Sequence, residues 1–87
     1  MSAGDRAHHL ATITHEGRFW DVYVEVVPQA SPRDPLRGRL LFSAADDADE
    51  KHHSGPIFVE PSLEAVLERA RDLGNHRLVA LLRSCLP

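Results

Sequence analysis

The sequence predicts an α+β domain: a four-stranded, mainly antiparallel sheet followed by two C-terminal helices packed on one of its faces. Three observations carry this expectation. Residues 10–27, LATITHEGRFWDVYVEVV, alternate apolar and polar side chains on either side of a glycine turn. Two later runs, GRLLFSAA (38–45) and PIFVE (56–60), repeat a strand-like pattern. Residues 61–86 then change to helical spacing.

The N-terminal hairpin is the clearest element. Residues 1–7 read as a loose terminus before it. Gly17 accepts positive φ, so a two-residue turn at Glu16-Gly17 is favourable. That turn places His15 opposite Arg18, Ile13 opposite Trp20, Ala11 opposite Val22 and His9 opposite Val24. One face then collects Ala11, Ile13, Trp20, Val22, Val24 and Val26. The other face pairs Thr14 with Phe19, Thr12 with Asp21 and Leu10 with Tyr23, and also carries Glu25. A slip of one residue would mix the two sets, so pattern and turn specify the same register.

Residues 28–37, PQASPRDPLR, hold three prolines and no periodicity, which predicts a long loop. In the third strand Leu40 and Phe42 are expected to face the core, with Arg39, Leu41 and Ser43 on the other side. Residues 46–55, DDADEKHHSG, read as a second long loop. The fourth strand, PIFVE, is expected to turn Ile57 and Val59 inward.

Pro61 and Ser62 suit a helix start, proline in the first turn and serine as a cap. Leu63, Val66, Leu67, Ala70 and Leu73 follow as one apolar stripe. Gly74 fits a left-handed C-terminal cap and Asn75 can cap a second helix, so a break is expected there rather than one kinked helix. The second helix carries Leu78, Val79, Leu81, Leu82, Cys85 and Leu86, more apolar girth than one narrow stripe.

Composition narrows the function classes. A chain of 87 residues builds one small domain with a modest core, leaving little room for an enclosed catalytic cavity. Its net charge of −3 and the absence of a basic stripe argue against nucleic-acid binding. Cys85 is the only cysteine, so neither an internal disulfide nor a cysteine-based zinc site can form. The opening residues lack the pattern of a signal peptide, and no apolar run approaches the ~18 residues of a membrane span. A cytoplasmic protein without membrane contact is the expectation. One lysine, Lys51, against nine arginines suggests a GC-rich bacterial genome.

Four groups of residues are candidates for function. His52 and His53, with Asp47 and Asp49, could hold a metal, recruiting His8 or His9 as a further ligand. Adjacent histidines point opposite ways in extended chain, however, and a solvated loop explains the same composition. The polar hairpin face offers Asp21, Tyr23 and Glu25 for acid–base work, but Asp21 and Glu25 lie four residues apart on one strand, ~13 Å at ~3.3 Å per residue. That is too wide for an ordinary catalytic pair. Cys85 sits in an apolar helix, where cysteine usually packs. No nucleophile elbow, phosphate loop or zinc-protease motif is present, so no catalytic residue and no cofactor are expected. The surplus apolar girth of the last helix points instead to a protein interface. Its candidate residues are Leu78, Leu81, Leu82, Cys85 and Leu86, joined by Phe19 and Tyr23 of the sheet.

The run IFVEPSLEAVLERARDL (57–73) resembles the strand-to-helix end of small antitoxin modules of the HicB type. The glycine-rich strands of that family are missing here, so no residue role follows from the resemblance. The functional expectation is a non-catalytic protein-interaction or regulatory module, with a homodimer through the C-terminal helix as one form. Two rivals stand beside it. One is nucleic-acid binding through Arg69, Arg71, Arg77 and Arg83; the other is a metal or small-ligand sensor built on His52 and His53.

Overall fold

The computed structural model describes residues 7–87. The element order is β1 (Ala7–His15), β2 (Arg18–Val27), β3 (Leu36–Ala44), β4 (Lys51–His53), β5 (Phe58–Glu60), α1 (Leu63–Arg71) and α2 (Gly74–Cys85). The sheet runs β1-β2-β3-β4, with β5 also pairing β3, and every pairing is antiparallel. β4 and β5 lie along different lengths of β3, opposite residues 41–43 and 36–38. The sheet is therefore four strands wide, its last position filled by two short pieces. Both helices follow, and together with the sheet they make the α+β domain expected from the sequence.

The hairpin forms because turn and alternation agree. Glu16 and Gly17 both take positive φ, 51° and 78°, the geometry that matches the twist of two paired strands. The register from Ala11–Val22 to His15–Arg18 is the expected one. Beyond it the strand departs from the sequence reading. A bulge between His9 and Ala11 puts His9 opposite Tyr23 and His8 opposite Val24. The extra residue leaves Leu10 without a Cα partner, a local irregularity that alternation alone does not reveal.

Packing divides the sheet into two unequal faces. Ile13, Trp20, Val22, Val24, Leu40, Phe42 and Phe58 join Val66 and Ala70 of α1 and Leu78 and Leu82 of α2 in one core. Each of the valine, leucine, isoleucine and phenylalanine side chains contributes about 1.5–3 kcal/mol by leaving water. Leu41, on the opposite face, is also buried, flanked there by its cross-strand neighbours Tyr23 and His53.

Three sequence expectations about loops and strand faces need correction, and the loose terminus is tested only at its last residue. Residues 1–6 of the expected loose terminus lie outside the described residues, and Ala7 already belongs to β1. The first loop covers only 28–35, because Leu36 and Arg37 pair with Glu60 and Val59. The segment 46–55 is not one loop: Lys51–His53 form β4, returning against β3. In β5 the inward residue is Phe58, whereas Ile57 and Val59 are 42% and 54% exposed. The cause is Gly38. It faces Phe58 across the pair, and a Cβ there would meet Val66 Cγ1 at 2.7 Å and Phe58 Cδ2 at 3.3 Å. The missing side chain makes the space that Phe58 and Val66 fill.

The helices start and stop largely as their chemistry dictates. Ser62 caps α1, its Oγ accepting the Ala65 N–H at 3.2 Å, and Pro61 precedes the cap rather than entering the first turn. Gly74 has φ 74° and turns the chain between the helices. No side-chain hydrogen bond caps the start of α2, so Asn75 does not serve as expected. Among the described residues no helix is long and apolar enough to cross a membrane.

Candidate functional site

The acidic-histidine segment closes on Arg18. Arg18 Nη2 donates to Asp46 Oδ1 at 2.7 Å and to Glu50 Oε1 at 2.9 Å. Its Nε reaches Asp46 Oδ2 at 3.2 Å and its Nη1 reaches Glu50 Oε2 at 3.3 Å. The guanidinium carbon lies 4.9 Å from the centroid of the Trp20 ring, a cation–π distance. Hydrogen bonds from Arg18 hold the Asp46 and Glu50 carboxyls below the usual carboxylate range, and they push Arg18 up in return. Asp47 takes a separate role, its Oδ1 accepting the Asp49 N–H at 3.0 Å within the turn.

His52 and His53 part company on β4, as adjacent strand residues must. His52 lies on the core side, its ring 5.8 Å from that of Trp20 and its Nε2 3.4 Å from Glu50. His53 lies on the open side, 3.8 Å from Glu25. Among the described residues no three His, Cys, Asp or Glu side chains gather as a metal site. The segment thus acts as a latch that fastens the β3–β4 turn to the start of β2. Because its carboxylates are stabilised as anions, the latch contributes stability above the ordinary carboxylate pKa of about 4 and loses it as pH falls through their lowered values. Acid titration followed by Trp20 fluorescence should show loosening below about pH 4. Arg18→Ala should shrink the gap in stability between neutral and acid pH, and an unchanged gap would contradict the latch.

The open face holds two further polar groupings. Asp21 Oδ1 accepts from Thr12 Oγ1 at 2.8 Å and lies 3.2 Å from His9 Nε2. The His9 ring meets Tyr23 edge-on at 5.3 Å. Glu25 is paired with Arg39 through both Nε and Nη2. Asp21 and Glu25 therefore serve different neighbours and do not converge, in line with their separation along β2. The open face is a set of cross-strand polar pairs.

The seven expected interface residues do not form one surface. Leu78 and Leu82 are in the core. Leu81, Cys85 and Leu86 are partly buried against it. Phe19 and Tyr23 belong to the open face, on the far side of the sheet, where Phe19 is 61% exposed. The arginines are divided too. Arg69 is held by Glu60 at 3.2 Å, and with Arg77 it borders a shallow cleft of about 390 Å³ whose lining includes Ile57, Val59 and Leu73. Arg71 and Arg83 are exposed on the helices.

A feature that the residue-by-residue reading missed is the outer edge of β1. β1 ends the sheet, and no strand among the described residues pairs with its outer side. It runs nine residues, AHHLATITH, without Lys, Arg, Asp, Glu or Pro. Edges normally carry charges, prolines or breaks that discourage further pairing. The opposite edge has all three: it is cut into two pieces of three residues, with Lys51 on the first and Gly55-Pro56 between them. The absence of formally charged residues was legible in the run itself, but its place at the edge was not, because strand order sets it.

The outward groups of β1 follow from the hairpin. The pair that closes a two-residue turn, His15–Arg18, is hydrogen-bonded, and bonded and non-bonded pairs then alternate. The main-chain groups of Ile13 point to β2, while those of Thr12 and Thr14 point outward. Comparison with known proteins finds no matching family model, no matching curated protein and no matching solved structure.

Proposed function

We propose that this chain is a non-catalytic protein-interaction module, working in the cytoplasm, that binds by adding a strand to the edge of β1. The observation that supports this reading is the contrast between the two sheet edges, one interrupted and guarded, the other nine residues long without Lys, Arg, Asp, Glu or Pro. Strand addition gives affinity through main-chain hydrogen bonds and specificity through alternate side chains. The clustered polar groups favour structural roles. Asp21, Glu25, Asp46 and Glu50 all have partners within the fold, which weakens a catalytic reading. The split of His52 from His53 weakens the sensor reading. Nucleic-acid binding has less support, since Glu64, Glu68 and Asp72 interleave with the arginines of the helical region.

The experiment is a native mass spectrum of the untagged protein from its own host, repeated for the double variant Thr12→Lys/Thr14→Lys. Both threonines are exposed on the open face, so lysine there adds charge without entering the core. The proposal expects an assembly of more than one chain in the wild type and its loss in the variant. An assembly that survives both lysines, or a wild type that is a lone chain, would overturn it.

A further inference from the structure

The geometry points to a second copy of this same chain as the strand that β1 accepts, paired antiparallel about a two-fold axis at Ile13. This rests on the reading of β1 as an interaction edge and goes further by naming the occupant. Three features of the strand carry it.

The first is the placement of the outward groups. Thr12 and Thr14 present their N–H and C=O to the free side, with Ile13 between them. An antiparallel copy centred on Ile13 sets Thr12 opposite Thr14 of the second copy, and Thr14 opposite its Thr12. Each of these is a bonded pair that exchanges two hydrogen bonds. The strand is therefore complementary to itself in a register that leaves none of these four outward groups idle.

The second is what the side chains meet. The Thr12–Thr14 pairs stand on the open face, where threonine pairs are favourable across strands. Thr12 already donates its hydroxyl proton to Asp21 at 2.8 Å, so its oxygen is left to accept from the opposing threonine. No formal charge faces another at any position from Ala11 to His15 with histidines neutral. On the core face Ile13 is 3% exposed, already covered within its own chain, so the junction at the axis rests on the main chain and the threonines rather than on this side chain.

The third is what lies under the edge. α2 packs beside β1 on the core side of the sheet. A sheet continued through β1 brings two copies of α2 near each other below it. Leu81, Cys85 and Leu86, at the end of α2 and just after it, are only partly buried in one chain, and the proposal expects the junction to reduce their exposure. The bulge at Leu10 sets the limit, since the regular stretch runs from Ala11 to His15.

The test uses the recombinant full chain alone, by sedimentation equilibrium from micromolar to millimolar concentration. Wild type should sediment at twice the chain mass. Thr12→Lys/Thr14→Lys places four ammonium groups along one junction and should sediment as a single chain. Thr14→Pro removes an outward N–H that has no strand partner among the described residues and should also abolish the dimer. Circular dichroism of each variant must show the wild-type spectrum; a variant that unfolds is replaced by Thr14→Lys alone, which should weaken the dimer at least tenfold. A wild type that stays single at millimolar concentration overturns the second-copy assignment. If the host complex described above still responds to the lysines, the edge then serves a different chain and the broader proposal survives. A dimer that persists in the folded edge variants places the junction elsewhere and overturns the inference.

Discussion

Replacing Trp20 with alanine should destabilise the domain by about 3–5 kcal/mol, close to the whole stability of a small fold. Trp20 is 1% exposed and is the largest side chain in the core. It lies on β2 opposite Ile13 and Ala44, with Arg18 over its ring and His52 beside it. Alanine would leave a cavity beneath the latch as well as within the sheet. Trp20→Phe should cost much less, because it retains an aromatic ring and removes a buried indole N–H that finds no hydrogen-bond partner among the described residues. Urea unfolding followed by circular dichroism checks both. Equal losses for the two variants would mean that the indole is not acting chiefly as packing volume.

Gly38→Val should be the second most damaging change, at about 1–3 kcal/mol. Any Cβ at this position meets Val66 Cγ1 at 2.7 Å, and the branched valine adds two methyl groups against Phe58. Relief requires α1 to lift from β3 or β5 to detach from its pairing with residues 36–38. The same urea measurement applies, with Gly55→Val as the control, since a Cβ at Gly55 meets nothing within 4 Å. A Gly38→Val protein as stable as that control would show that the close approach is not maintained in solution.

These two positions also show what the sequence makes legible. Trp20 could be placed because two local rules coincide: the Glu16-Gly17 turn fixes the register, and alternation assigns each residue a face. The stripe of α1 and the turn at Gly74 were legible for the same reason, being local chemistry in a short window. β4 was not, because Lys51-His52-His53 has little strand preference of its own and is extended only by pairing with β3. The face of β5 was misread because Ile57, Phe58 and Val59 are all apolar, and a distant glycine on β3 chooses among them. The candidate site was legible only in part. Alternation predicts that His52 and His53 diverge, but Arg18 as the partner of Asp46 and Glu50 depends on contacts 28 and 32 residues apart. The free edge is a property of strand order, which no single run of residues contains.

Hydrogen exchange at individual amides tests the central claim most directly. In a lone chain the Thr12 and Thr14 amides have no strand partner among the described residues, while the Ile13 amide is directed to β2. If β1 receives a strand, Thr12 and Thr14 should be protected to a similar degree as Ile13, and that protection should fall on dilution. Fast exchange at Thr12 and Thr14 beside a protected Ile13, at every concentration, would show an open edge and contradict the account.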